Sequence, residues 1–169
     1  MLINALVTSK FDYCNSLLYG ITDKALKMMQ RQQNRAARII THTPKFSHIT
    51  GVLKNLHWLP IKERIEFKIL MSCFKALNNL GPSYITDLIK PYQPSRALRS
   101  IAHDMLDIPK TNLKTFGDRA FSVAGPVLWN ALPQRIRQCG MSEPVSVEKF
   151  KTLIKTHLFG RVYEPTNGH

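Results

Sequence analysis

Residues 22–41 read TDKALKMMQRQQNRAARIIT, and the spacing of their apolar positions predicts an amphipathic helix. Leu26, Met29, Ala36 and Ile40 fall on the three- and four-residue steps of one helix face. Thr22 is a good N-cap and Asp23 suits the positive end of the helix dipole, so a helix from Asp23 to about Thr41 follows. Each residue turns a helix by about 100°, which gathers Lys24, Lys27, Arg31, Arg35 and Arg38 within an arc of about 80°, opposite the apolar set.

The surroundings of this stripe are unusual. Between Asp23 and Glu63 there are eight Lys or Arg residues and no carboxylate. Neighbouring like charges mildly destabilise a helix, so the stripe does not serve the helix itself. A solvated polar face is the ordinary reading of such a surface. The missing acidic partners favour a polyanionic ligand instead.

Downstream, a loop with Pro44 and Gly51 leads to HWLPIKERIEFKILMSCFKALNNLGP at 57–82. Pro60 is placed to start a helix there and Gly81-Pro82 to end it. Ile65, Ile69, Leu70, Cys73, Phe74 and Leu77 leave only the narrow polar strip of Arg64, Lys68, Ser72 and Lys75, which predicts the most buried helix. Upstream, LINALVTSKFDYCNSLLYG at 2–20 reads as helical and stops at Gly20.

Ser83 can cap a short helix through Lys90. Beyond it PYQPSRALRS, 91–100, is a basic loop carrying Arg96 and Arg99 and the best internal boundary. Residues 105–108 and 113–116 alternate weakly around a turn-prone 109–112, leaving room for a β-hairpin. Asp118 is a candidate cap for GDRAFSVAGPVLWNALP, 117–133, where Gly125-Pro126 should kink or split a helix and Pro133 should stop it. Phe121, Val123, Leu128 and Trp129 read as core anchors. Ser146 caps a last helix with Val147, Phe150, Leu153, Ile154 and Leu158 on one side and Lys149, Lys151 and Lys155 away from it.

The expected fold class is therefore mainly α, a bundle of five or six helices with room for a small β-hairpin around 105–116. The chain divides into a helical basic segment, 1–91, a basic Pro-containing loop, 92–103, a hairpin-and-helix segment, 104–160, and a frayed tail, 161–169.

With 169 residues, 44% of them hydrophobic, the chain can bury a core. Its 24 Lys and Arg against 11 Asp and Glu give a net charge of +13. RNA, DNA and an anionic membrane surface each satisfy such a charge, although the apolar faces are sized for a protein core rather than for lipid. Cys14, Cys73 and Cys139 are odd in number and far apart, which fits buried free thiols in a reducing, intracellular compartment, nuclear or cytoplasmic, better than a disulfide framework. No apolar run is long enough to span a membrane, and Met1–Val7 is cut off by Thr8, Ser9 and Lys10, so neither a secreted nor a transmembrane protein is expected.

Catalytic patterns are missing. There is no nucleophile elbow, phosphate-binding Gly-rich loop or dinucleotide fingerprint. Glu63/Glu66 and Asp104/Asp107 are the only closely spaced carboxylates, and nothing flanking either pair suggests a two-metal centre. His42, His48 and His57 share a basic region at spacings that match no zinc pattern. His157 reads as a partly buried, hydrogen-bonded ring, and Cys73 as packing.

Several runs then read together: FDYCNSLLYGI at 11–21, QRQQNRAARIIT at 30–41, HWLPIKERIEFKIL at 57–70, GDRAFSVAGPVLWNALP at 117–133 and FKTLIKTHLF at 150–159. In this order they resemble the C-terminal region of LINE-type, non-LTR retrotransposon reverse transcriptase polyproteins, jockey-like in flavour. The resemblance implies a segment that follows the polymerase palm, with 1–91 thumb-like, and that holds template RNA and primer DNA. The palm domain is an implied partner. The family's polymerase centre uses a Tyr-x-Asp-Asp turn and a further aspartate, and this sequence has no adjacent Asp-Asp. The endonuclease motifs and the Cys/His knuckle of some relatives are absent as well, so no catalytic residue carries over.

The expectation is a non-catalytic nucleic-acid-binding segment without metal, cofactor, small-molecule substrate or membrane partner. Its phosphate contacts are Lys24, Lys27, Arg31, Arg35, Arg38, Lys45, Arg96 and Arg99; Tyr92, Phe46 and Trp58 lie near basic loops where a ring can stack on unpaired bases, although burial is the first reading of Trp58. Two alternatives stand beside it: a structural or protein-interaction remnant of a truncated retroelement, and a translated element fragment with no function of its own.

Overall fold

The computed structural model describes residues 9–93, 104–111, 113–141 and 145–164. In chain order the helices are α1 (Ser9–Asp12), a 3-10 turn (Asn15–Leu18), α2 (Asp23–Thr41), α3 (Ile49–Asn55), α4 (Ile61–Leu77), α5 (Ser83–Thr86), α6 (Lys114–Gly117), α7 (Phe121–Asn130), α8 (Gln134–Met141) and α9 (Val147–Tyr163). The protein is mainly helical, as expected, and no strand forms among the described residues. The chain makes two compact units, 1–67 with 156–169, and 68–155.

In the first unit α2 starts and ends where its sequence predicts. The Thr22 side chain accepts from Ala25 N–H at 3.4 Å, and His42 closes the helix in the left-handed region. The buried face is Gln33, Ala36 and Ala37. Gln33 donates its amide to the Leu59 carbonyl at 2.8 Å, which satisfies an otherwise stranded polar group. Gln30 accepts from Ile61 N–H at 2.9 Å and so caps the start of α4 from the side of α2. Helix α3 occupies what reads in sequence as loop, with Leu53 as its buried anchor. Tyr163 reaches the Trp58 carbonyl at 2.7 Å, so residues 161–163, expected in a frayed tail, belong to α9.

The second unit is built on aromatic packing. Phe74 and Phe150 stack with ring centres 4.0 Å apart, and Trp129 lies 5.8 Å from Phe150. Trp129 donates to the Asp104 carbonyl at 3.0 Å, which places its one polar atom. The hairpin envisaged around 105–116 does not form. Leu106 instead makes an isolated antiparallel bridge with Pro91, and the Asn130 side chain takes both the N–H and the carbonyl of Leu106 at 2.9 Å each. With its backbone groups engaged there, Leu106 has none left for 113–116, where Gly117 N–H closes a helical turn on Leu113.

The segment that follows departs from its reading in part. Gly125-Pro126 does not split the helix: both lie inside α7, and a Cβ on Gly125 would stand 2.7 Å from Cys73 Sγ, so glycine permits a close approach. The helix does end before Pro133, at Asn130, but a further helix, α8, follows at once, with Ile136 and Arg137 N–H both bonding the Pro133 carbonyl. Ala120, not Asp118, precedes α7, and Asp118 accepts from the Thr111 hydroxyl at 2.9 Å. Ser146 does cap α9, its hydroxyl accepting from Lys149 N–H at 3.3 Å.

Candidate nucleic-acid interface

The buried face of α2 dictates where its cations point. With Gln33, Ala36 and Ala37 inward, the opposite arc faces solvent: Lys24, Lys27, Arg31 and Arg35 are exposed and Arg38 is half-buried. Met28 and Ile39 border this arc and are also exposed, 58% and 64%. Ile40, expected on the apolar side, is 38% exposed at the end of α2, past the buried Ala36 and Ala37.

Among the described residues, no ion pair involves Lys24, Lys27, Arg31, Arg35 or Arg38. Four of the five carboxylates of this unit are committed elsewhere. Asp12 pairs with Arg64, Glu63 and Glu66 with Arg161, and Glu164 with Lys54, while Asp23 sits in the first turn of α2. Beyond Asp23 in the first turn, the stripe therefore projects a field of one sign.

The chain after α2 adds to this field. Ser47 N–H bonds the Pro44 carbonyl at 3.1 Å, and Arg38 Nη2 donates to the Ser47 carbonyl at 3.2 Å. The turn thus folded carries Lys45 back toward the helix. An open hollow of about 560 Å³ is lined by Arg35, Arg38, Ile39, His42, Thr43 and Lys45. A neighbouring one of about 270 Å³ is lined by Arg31, Asn34, Arg35, Arg38 and Lys45. Arg35, Arg38 and Lys45 are common to both.

A helix C-terminus repels anions unless its carbonyls are occupied. Here Thr43 N–H bonds the Arg38 carbonyl at 3.1 Å and the Thr41 hydroxyl bonds the Ala37 carbonyl at 3.0 Å. Arg38 Nε is buried without a partner, and Arg38 lines both hollows.

Of the eight residues expected to touch phosphate, the structure brings Arg31, Arg35, Arg38 and Lys45 together around the hollows and sets Lys24 and Lys27 along the same helix. Arg96 and Arg99 lie outside the described residues. Of the three aromatics, Phe46 is 94% exposed beside Lys45, Tyr92 is 48% exposed in the other unit, and Trp58 is half-buried. His42, Thr43 and Asn34 join the site without having been anticipated. Pro44, which cannot continue a helix, was the signal that the chain turns back there.

Among the described residues no group of three His, Cys, Asp or Glu side chains converges to hold a metal ion, and no helix is long and apolar enough to cross a membrane. No protein-family model, curated protein or solved structure matches the chain.

Proposed function

We propose that the protein is a non-catalytic nucleic-acid-binding segment that grips the sugar-phosphate backbone of RNA or DNA through α2 and the turn after it, inside the cell. The observation that carries this reading is the array of Lys24, Lys27, Arg31, Arg35 and Arg38, exposed or half-exposed along one face, with every ion-paired carboxylate of the unit engaged elsewhere. Lys and Arg supply phosphate contact without reading sequence, so the binding is non-specific and steeply dependent on salt. The resemblance of the five runs to the post-palm region of non-LTR reverse transcriptases supports template RNA and primer DNA as the ligands.

The test is the salt dependence of binding to a structured RNA. Replacing Lys27, Arg31 and Arg35 by Gln should lower affinity and flatten the slope of log affinity against log salt by about 0.7–0.9 for each phosphate that is no longer neutralised. Unaltered affinity and slope would remove the stripe from the interface.

A second reading, a structural or protein-interaction remnant facing a polymerase palm, is supported by Tyr13 at 81% and Leu17 at 78% exposure in one unit and Phe116 at 74% in the other. Such a chain, made alone, would bind hydrophobic dyes and melt without cooperativity. A sharp two-state melt counts against it.

A further inference from the structure

Phe46 sits at the tip of the turn that follows α2, and its exposure of 94% is the highest among the described large apolar residues. Single exposed apolar side chains are common on protein surfaces and by themselves mean little. Two features set this one apart. Its backbone is held, since Ser47 N–H bonds Pro44 O at 3.1 Å, Arg38 Nη2 bonds Ser47 O at 3.2 Å, and the hydroxyls of Thr41 and Thr43 meet at 2.6 Å. Its neighbours are cations, with Lys45 Nζ 5.9 Å from the ring centre and Lys45 itself lining both hollows with Arg35 and Arg38.

We infer that this site takes an unpaired strand, with a base laid on the Phe46 ring while its flanking phosphates sit against Lys45, Arg35 and Arg38. The inference rests on the nucleic-acid reading above and adds the strand class. A duplex offers phosphates but keeps its base faces covered by neighbouring base pairs, whereas a single strand offers phosphates and open π-faces together. A platform of one aromatic ring beside a cationic groove matches the second ligand. Ile39, 64% exposed on the wall of the larger hollow, extends the apolar floor. Arg38 is then a positioning residue as well as a phosphate contact, because its bond to Ser47 fixes the turn that presents the ring. A protein partner for Phe46 would have to seat an apolar group among cations that no carboxylate of this unit pairs.

The experiment measures binding of the full chain to a fluorescent deoxythymidine oligomer and to a duplex, each of about 15 nucleotides, a length that covers one binding site. Phe46→Ala should weaken binding to the single strand about 5- to 100-fold while leaving duplex affinity and salt slope unchanged, and Phe46→Trp should restore it. With the ring this exposed, the melting temperature of Phe46→Ala should match that of the wild type, so misfolding does not confuse the result. Equal loss on both probes, or no loss on the single strand, overturns the inference. If Arg31→Gln/Arg35→Gln weakens binding to both probes while Phe46→Ala changes nothing, only the stacking platform falls and Phe46 is left for a protein. If the Arg31/Arg35 pair also changes nothing, the nucleic-acid reading itself falls.

Discussion

Arg64 holds Asp12 through both ends of its guanidinium, Nε 3.0 Å from Oδ1 and Nη2 2.6 Å from Oδ2. The contact joins α1 to α4 across 52 residues and keeps a carboxylate away from the basic face of the same unit. The Arg64 side chain is 14% exposed and that of Asp12 35%, so solvent screens the pair only in part. Arg64→Ala should cost about 1–2 kcal/mol, mostly by stranding Asp12 without its two donors. Arg64→Lys should recover little, because an ammonium cannot reproduce the planar fork. Urea denaturation of the three proteins checks both statements, and equal midpoints for Arg64→Lys and the wild type would refute the second.

Arg161 serves two acids at once: it hydrogen-bonds Glu66 and lies 3.8 Å from Glu63. Burial of Glu63, reinforced by the nearby Glu66 charge, pushes its carboxyl above the usual 4.5, although its backbone hydrogen bond and Arg161 pull the other way. A carboxyl raised in the folded state is a liability when ionised. The folded chain binds the extra proton between 4.5 and the raised value, so this liability is present at neutral pH and disappears as the pH falls through that window. Glu63→Gln should therefore melt at or above the wild type near neutrality, by up to a few degrees, and the gap should close toward about pH 4. Glu66→Gln, which removes the hydrogen-bonded anion from Arg161, should melt lower. Paired thermal melts at the two pH values decide between them.

How much of this was legible in the sequence depended on how local the cause was. Helix α2 reads correctly to the residue because its cap, Thr22 to Ala25, spans three positions and its cationic arc follows from helical geometry alone. The burial of Gln33 was not legible, since its partner is the Leu59 carbonyl 26 residues away. For the same reason the hollows could not be anticipated: Lys45 meets Arg35 and Arg38 only because the Arg38–Ser47 bond turns the chain back. Helix α8 was hidden by a rule that holds in general, that proline ends helices, where here Pro133 supplies the first accepting carbonyl. The hairpin failed because Asn130, far along the chain, claims Leu106.

Two helical glycines should respond in opposite directions to alanine. A Cβ on Gly51 in α3 would meet nothing within 4 Å, so Gly51→Ala should stabilise by about 0.5–1 kcal/mol through helix propensity. A Cβ on Gly140 in α8 would stand 2.3 Å from Trp129 Cη2 and 3.1 Å from Phe150 Cε2. Both rings are fully buried and stacked on each other, so neither can retreat. Overpacking of about 1–3 kcal/mol should outweigh the propensity gain and destabilise Gly140→Ala. Chemical denaturation of the two variants, with tryptophan fluorescence as one probe, reads both signs. A stabilised Gly140→Ala would mean that the ring stack yields more readily than its packing implies.

Cys73 and Cys14 should differ as sharply in reactivity as they do in burial. Cys14 is exposed, whereas Cys73 lies fully buried in α4, where loss of solvation pushes its thiol from 9.0 up to about 12. The thiolate is the reactive species, so iodoacetamide near pH 8 should modify Cys14 in the folded protein and reach Cys73 only through opening of its unit. The same shift makes the fold sensitive to alkali. Above about pH 9 the unfolded chain releases the Cys73 proton and the folded chain does not, which draws the equilibrium toward unfolding by about 1.4 kcal/mol for each pH unit until the folded thiol also ionises. Cys73→Ala should lose stability at neutral pH through the cavity it leaves, yet lose less than the wild type between about pH 9 and 10.5. Mass-resolved labelling of each cysteine, alongside melts across that range, tests both halves; rapid modification of Cys73 in the folded state would show that its helix opens far more often than a packed core allows.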